Sequence, residues 1–164
     1  MTAPEVNLDA QAAARRRKRM RRVNVIMRAL LSLPFRTPLS SRLMLVTYTG
    51  RKTGKQYRQP LSYVVDPTTA SVLLTPGGGN WTLSLAAGTP VSSRIRGRSE
   101  QLRPELVNDP TQVGALLQQM AQLNPALVRF VPLPRAQDGT FEPEPLRAAI
   151  AHGFCVVRWH RMGR

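Results

Sequence analysis

The residues best suited to chemistry form a short cationic loop in the first half of the chain. Arg51, Lys52 and Lys55 lie around two glycines, Gly50 and Gly54, within six consecutive positions. Glycine permits backbone angles that a side chain would penalise, so successive amide N–H groups in such a turn can converge on one anion beside fixed positive charge. The loop therefore predicts a cradle for a phosphate or polycarboxylate. Composition alone favours a plainer interpretation, a solvated hairpin tip, because glycine and lysine are common in any turn.

Two strands are expected to position this loop. The segments on either side of it, between Leu43 and Val65, are rich in Val, Thr and Tyr, which favour a pleated backbone. The loop is not a Walker A motif, because Gly50 and Gly54 enclose three residues instead of four and no Ser or Thr follows the lysine. The glycine run 77–79 does not match the dinucleotide fingerprint either. A nucleotide-hydrolysing enzyme is therefore not supported.

The rest of the chain is predicted to add four strands and several short helices. Asp109 is expected to cap a helix whose buried stripe is Val113, Leu116, Leu117 and Met120. The predicted elements are a strand at 71–75, a glycine corner at 76–80, a helical stretch at 81–87, a hairpin at 90–103, a helix at 110–122, a long irregular loop at 124–145, a helix at 144–152 and a final strand at 154–160. The fold class is α+β, mainly β.

Positive charge is concentrated near the N-terminus. The net charge is +15, and seven cations lie within residues 15–22. Residues 1–38 are interpreted as a basic amphipathic arm, with a helix over Arg15–Leu33, and residues 39–164 as a single domain. Such a helix can lie on an anionic membrane or cap its own domain. Nucleic acid is the less favoured partner, because no aromatic residue for base stacking is interleaved with the arginines. No apolar run is long enough to span a bilayer.

Catalytic side chains are sparse. His152 and His160 flank Cys155 without metal-ligand spacing, and no nucleophile elbow or close pair of carboxylates is evident. The lone cysteine excludes a disulfide framework within the chain and is compatible with a reducing interior. Catalysis, if present, is therefore expected to depend on a bound cofactor, for which the protein supplies position and electrostatics.

One set of motifs resembles a known family. The Thr-Gly-Arg-Lys-Thr-Gly-Lys block at 49–55, Pro60-Leu61, the pair Gly77-Gly78, Trp81 and Leu85 are similar to the deazaflavin-dependent nitroreductase family of actinobacteria. The resemblance implies a split β-barrel of about six antiparallel strands, like the FMN-binding barrels, and a homodimer. It also implies a reduced 8-hydroxy-5-deazaflavin coenzyme, in preference to FMN, that passes hydride to a lipophilic quinone, enone or nitro compound.

The resemblance also implies roles for individual residues. The coenzyme's phosphate and glutamyl tail would run over the cations, its ring would meet the uncharged residues, and Tyr63 or solvent would return the proton. The implied cofactor-binding residues are Arg51, Lys52, Lys55, Arg58, Pro60, Leu61, Thr75, Pro76, Gly77, Gly78, Trp81 and Ser84. The chain departs from the family at Tyr57, where an arginine is usual, and at Pro76 and Ser84. No tyrosine follows Tyr63, which argues against reduction of nitro drugs.

Two other functions stay open at this stage. The same barrel could be a non-catalytic binder of a lipid, haem or other hydrophobic ligand at the membrane face, or the arginine-rich arm could bind nucleic acid. A cytoplasmic location, with peripheral attachment to the inner face of the membrane, accompanies the leading interpretation.

Overall fold

A computed structural model describes residues 41–128 and 131–163. The amphipathic arm predicted for residues 1–38, including the helix over Arg15–Leu33, lies outside the described residues.

Seven strands form one antiparallel sheet in the order β2-β1-β5-β6-β7-β4-β3. The strands are β1 (Leu43–Thr49), β2 (Gln56–Ser62), β3 (Val64–Val65), β4 (Val72–Gly78), β5 (Val91–Ile95), β6 (Arg98–Val107) and β7 (Phe154–Arg161). The sheet curls into a half-barrel of the split-barrel type, so the predicted fold class is confirmed.

The sheet curls because one continuous segment forms both of its ends. β2 pairs with β1 at one end, whereas β3 pairs with β4 at the other. Only Tyr63 separates β2 from β3, and its amide donates to the Arg42 carbonyl over 3.1 Å. The sheet has seven strands instead of about six because the second predicted strand divides at this residue.

β4 extends further than its sequence predicts. Pro76, Gly77 and Gly78, expected in a corner, instead continue the strand in register with β7, ending at Gly78 opposite Phe154. Proline is tolerated because the ladder alternates, and the backbone groups of Pro76 face the side where β3 has already ended. The corner begins directly after the strand, at Gly79, whose φ of 84° favours glycine.

Four short helices complete the described residues: α1 (Asn80–Leu83), α2 (Pro110–Leu123), α3 (Pro125–Val128) and α4 (Pro143–Ala151). The predicted cap of α2 is confirmed, since Asp109 Oδ1 accepts from the Gln112 amide over 2.9 Å. The predicted stripe is also buried. The loop expected at 124–145 is interrupted by α3, and its turn at Asp138-Gly139 is present.

Alternation along the strands separates two hydrophobic clusters. The barrel cluster lies on one face of the sheet and contains Met44, Val46, Leu61, Tyr63, Leu73, Leu85, Val91, Ile95, Leu102, Cys155, Val157 and Trp159. The helix-side cluster joins the other face to α2, α3 and α4 and contains residues such as Leu74, Leu117, Met120, Leu127 and Val156. Neighbouring residues such as Leu73 and Leu74 thus point to opposite clusters, as expected for a sheet that is buried on both faces.

Candidate functional site

The cationic loop between β1 and β2 is closed by its own backbone. The Gly50 amide donates to the Lys55 carbonyl, and the Gly54 amide donates to the Gly50 carbonyl, both over 2.8 Å. A Cβ atom at Gly50 would lie 2.5 Å from Tyr57 Cε2, closer than any real contact, so the loop needs glycine there.

Two tyrosines support the loop from below. Tyr48 and Tyr57 are cross-strand partners, and their rings stack with centroids 5.7 Å apart and planes inclined by 23°. The Tyr57 hydroxyl is also hydrogen-bonded to Thr53 Oγ1 over 3.0 Å. These contacts hold the loop in one conformation before any ligand binds.

A serine connects the loop to α1. The Arg51 amide donates to Ser84 Oγ over 3.2 Å, and Ser84 Oγ donates to the Asn80 carbonyl over 3.3 Å. The loop and α1 are therefore opposite walls of one opening, although they are distant in sequence.

This opening is a cleft of about 280 Å³, which we call the loop cleft. Its lining residues are Tyr48, Gly50, Arg51, Lys52, Thr53, Tyr57, Asn80, Trp81, Leu83 and Ser84. No acidic residue is among them, and neither Arg51 nor Lys52 has an ion-pair partner within the described ranges. The amides of Lys52 and Thr53 make no hydrogen bond to other described residues. The loop cleft can therefore offer charge and N–H donors to an anion.

A second opening, the strand cleft, lies where β2 faces β4 and measures about 310 Å³. Its lining among the described residues is Pro60, Leu61, Ser62, Thr75, Pro76, Gly77, Gly78, Trp81, Leu127, Val131, Pro132 and Phe154, and none of these carries a charge. By the alternation of the ladder, the carbonyls of Pro76 and Gly78 and the amide of Gly78 face the side that β3 leaves unpaired. This cleft can bind an uncharged planar group along a fixed backbone edge.

Trp81 lines both clefts and separates them. It packs against the barrel cluster and sits directly over Gly77, where a Cβ would lie 2.9 Å from Thr82 Cγ2 and 3.1 Å from Trp81 Cζ2. Glycine at position 77 is thus required to seat α1. This packing role was not predicted from the sequence, which indicated only a glycine corner.

The structure brings most of the predicted site residues together. Arg51, Lys52 and Ser84 line the loop cleft, Trp81 lines both clefts, and Pro60, Leu61, Thr75, Pro76, Gly77 and Gly78 line the strand cleft. Lys55 and Arg58 are exposed but line neither cleft. The Thr75 hydroxyl is buried and accepts from Trp159 Nε1 over 3.1 Å, so it is already engaged within the core.

Tyr63 lines neither cleft. Its side chain is 3% exposed within the barrel cluster, and its hydroxyl has no hydrogen-bond partner among the described residues. The role of proton donor that was predicted for Tyr63 therefore gains no support from its position.

Several lining residues were not predicted as part of a site. Tyr48 and Tyr57 could have been found from the sequence, because a hairpin that closes on residues 50–55 places them opposite each other. Leu83 and Asn80 depend on the position of α1. Leu127, Val131, Pro132 and Phe154 reach the strand cleft from distant parts of the chain, and no local signal marks them.

The groups with shifted pKa values lie outside the clefts. The pKa of Glu105 is lowered chiefly by its hydrogen bond to His160, 2.7 Å long, although partial burial opposes the shift. Burial raises the pKa of the Cys155 thiol in the barrel cluster. Among residues 41–128 and 131–163, no group of three His, Cys, Asp or Glu side chains is close enough to hold a metal ion. In the same ranges no helix has the length and apolar character needed to cross a membrane.

The chain is similar to known proteins at the level of architecture. No family model matches the chain, and no curated protein matches it. Among solved structures, a protein of unknown function from Agrobacterium tumefaciens superposes with a TM-score of 0.50 and 12% identity, over 82% of this chain and 53% of that chain. An FAD-binding protein from Mesorhizobium loti gives 0.49 and 15% over 77% and 91%, and an F420 reductase gives 0.43 and 14% over 82% and 92%. The fold is a split barrel. At these identities the likeness extends to the fold alone.

Proposed function

We propose that this protein is an oxidoreductase that binds an 8-hydroxy-5-deazaflavin coenzyme and catalyses hydride transfer to an uncharged, electron-poor acceptor such as a quinone or enone. The observation that carries the proposal is that Trp81 lines both clefts, so a cationic opening adjoins one whose described lining carries no charge. A coenzyme with a planar ring and a long acidic tail needs this combination.

The residues present fit such a coenzyme. Arg51 and Lys52 supply unpaired positive charge, and the amides of Lys52 and Thr53 supply free donors, for a phosphate and carboxylate tail. On the other side of Trp81, the exposed backbone edge of β4 offers both donor and acceptor groups to the polar rim of a ring. The fit is incomplete at Lys55 and Arg58, which line neither cleft and would act on the tail only through their longer-range field.

The reduced deazaflavin supplies the hydride when it is bound. The protein's own part is to position and to exclude water. Pro60 and Leu61 form one wall of the strand cleft, and Leu127 and Phe154 contribute to an apolar lining that keeps solvent from the reacting groups. Holding donor and acceptor at a fixed distance in such a cleft is sufficient for large rate enhancements without an acid or base side chain. The proton is then expected to come from solvent, because Tyr63 is enclosed in the barrel.

Titration of the oxidised coenzyme, followed by its fluorescence, tests the proposal. Saturable binding is expected, and Lys52→Ala should weaken it by about tenfold or more, since a charge-assisted hydrogen bond contributes about 1.5–3 kcal/mol. Arg98→Ala is the matched control, because Arg98 is an exposed cation on the opposite hairpin and lines neither cleft. Absence of binding at high micromolar coenzyme, or equal losses in both variants, would contradict the proposal.

A non-catalytic binder of a hydrophobic ligand is the second candidate, favoured by the apolar lining of the strand cleft. Turnover separates the two, because an oxidoreductase should oxidise the reduced coenzyme when a quinone such as menadione is added. Binding of the quinone without any change in coenzyme absorbance would favour the second candidate.

Three further predictions concern the protein's surroundings: a membrane contact through Arg15–Leu33, a homodimer, and a cytoplasmic location with peripheral attachment to the membrane. Flotation with anionic vesicles, with and without residues 1–38, tests the membrane contact. Sedimentation velocity tests the dimer.

A further inference from the structure

Aromatic side chains are concentrated at the loop cleft. The chain has only three tyrosines and two tryptophans. Tyr48, Tyr57 and Trp81 line the loop cleft, whereas Tyr63 and Trp159 are enclosed in the barrel cluster. Every Tyr and Trp that is not in the core therefore lines one opening of about 280 Å³.

This aromatic surface is exposed and already ordered. Tyr57 is 39% exposed and Leu83, on the facing wall, is 48% exposed, so both present apolar surface to a ligand in the cleft. The Tyr57 ring is held by its stack on Tyr48 and by the hydroxyl contact with Thr53. A ligand that stacks here loses little additional side-chain freedom, so most of the stacking energy is retained as affinity.

Groups that recognise a phosphate and a ring edge lie within the same opening. Arg51 and Lys52 are exposed and have no acidic neighbour in the lining. The side-chain amide of Asn80 makes no hydrogen bond to other described residues and can both donate and accept. Cations, aromatic rings and an amide side chain are the set that binds nucleotide ligands by stacking and charge.

We propose that the loop cleft binds an aromatic ring joined to a phosphate, as in a purine nucleotide, with the ring against the tyrosine and tryptophan surface and the phosphate on Arg51 and Lys52. This goes beyond the proposed function, because a phosphate and glutamyl tail has no aromatic ring to use that surface. It depends on Tyr57, which stands where the resembling family has an arginine. The proposal concerns binding only, and a nucleotide in this cleft competes with an acidic coenzyme tail for the same two cations.

Three probes separate the contributions: AMP, ribose 5-phosphate and adenosine. Fluorescence of the full-length protein reports binding, because Trp81 lines the cleft and Trp159 is fully buried. In Trp81→Phe the fluorescence change should be lost while calorimetry still detects binding, which would assign the fluorescence signal to Trp81. AMP is expected to bind about tenfold or more tightly than either fragment, as base stacking on aromatic side chains allows. Equal affinity of AMP and ribose 5-phosphate would overturn the stacking, equal affinity of AMP and adenosine would overturn the anion contact, and no binding of AMP would overturn both.

Two variants at one position keep the test independent of folding. Tyr57→Phe retains the ring and should keep the preference for AMP within about threefold, whereas Tyr57→Leu should lose most of that preference, because only Trp81 and Tyr48 then remain as aromatic lining. Ribose 5-phosphate affinity serves as the control, because it should be alike in both variants if the loop is intact. Loss of the AMP preference in Tyr57→Phe would contradict the proposal. Coenzyme titration on the same samples distinguishes the two proposals: an AMP preference without coenzyme binding removes only the proposed function, and the reverse result removes only this inference.

Discussion

The loop cleft and the strand cleft share one tryptophan but are built from different materials. The loop cleft presents side chains, two of them cationic and three aromatic, on a loop, the strand ends that flank it and a four-residue helix. The strand cleft presents a backbone edge and uncharged side chains. Charge acts over several ångströms and is weakened by salt, whereas a backbone edge fixed by a ladder selects by shape and is insensitive to salt. The first cleft is therefore suited to affinity and the second to position.

The largest expected effect removes the charge from the loop cleft alone. Arg51→Ala combined with Lys52→Ala should weaken binding of the complete deazaflavin coenzyme by about a hundredfold or more, since two charge-assisted contacts of about 1.5–3 kcal/mol are lost. Binding of an uncharged deazaflavin that lacks the tail should change by less than about twofold. Fluorescence titration of both ligands at two salt concentrations measures this difference. A similar loss for both ligands would show that the loop cleft does not bind the tail independently of the ring.

The next effect concerns the contact between Gly77 and Trp81, the residue that lies between the clefts. Gly77→Ala should destabilise the fold by about 1–3 kcal/mol, because its methyl group would be forced against Thr82 and Trp81. Gly78→Ala is the matched control, with its nearest atom, the Gly153 carbonyl oxygen, at 3.4 Å, and should cost less than about 1 kcal/mol. Urea unfolding of both variants gives the comparison. An equal loss of stability in both variants would mean that α1 does not pack closely enough on Gly77 to exclude a methyl group.

A third variant tests whether the barrel interior belongs to either cleft. Tyr63→Phe removes a buried hydroxyl that lacks a partner and should raise the free energy of unfolding by about 1 kcal/mol. Turnover should not change, since Tyr63 lines neither cleft. A large fall in turnover with unchanged stability would restore Tyr63 as the proton donor.

A smaller effect concerns the bond that joins the walls of the loop cleft. Ser84→Ala removes the acceptor of the Arg51 amide, and a neutral hydrogen bond of this kind contributes about 0.5–1.5 kcal/mol. Coenzyme affinity should therefore change by no more than about tenfold, with no change for the ligand that lacks the tail. Ser92→Ala, on an exposed strand position away from both clefts, is the control.

The smallest effect lies outside both clefts, at Glu105. Its pKa is lowered by the contacts with His160 and Arg158, so the folded state favours the ionised form. The resulting stability is present above the ordinary carboxyl pKa and is lost as the pH falls through the lowered one. Because the side chain is 47% exposed, solvent screening keeps this contribution small. Glu105→Gln should flatten the acid limb of stability against pH, while ligand binding at neutral pH stays the same.

Local patterns predicted much of the fold and part of the site. The hairpin around residues 50–55, the cap at Asp109 and the stripe of α2 depend on neighbours in sequence, and the structure confirms each of them. The extension of β4 through Pro76 and Gly78 depends on β7, which lies about eighty residues further along the chain. Considered locally, a proline and two glycines predict a corner. They form a strand only because they pair with β7.

The same division applies to the site. The place of Arg51 and Lys52 on a cationic loop could be predicted from their spacing, because the loop that presents them is local. The direction of the Thr75 hydroxyl could not, because it is set by the Trp159 indole across the sheet. Likewise, the buried position of Tyr63 follows from its place between two strands at opposite ends of the sheet.

The strand order has a consequence for folding during synthesis. β7, the last of the described strands, lies between β6 and β4, so without it the hydrogen-bonded ladder divides into two separate pieces. The cationic hairpin belongs to one piece and the bare edge of β4 to the other. Pairings of such long sequence separation make folding slow. During synthesis, neither opening can take its final shape before β7 has emerged, so ligand binding requires that Phe154–Arg161 has been synthesised.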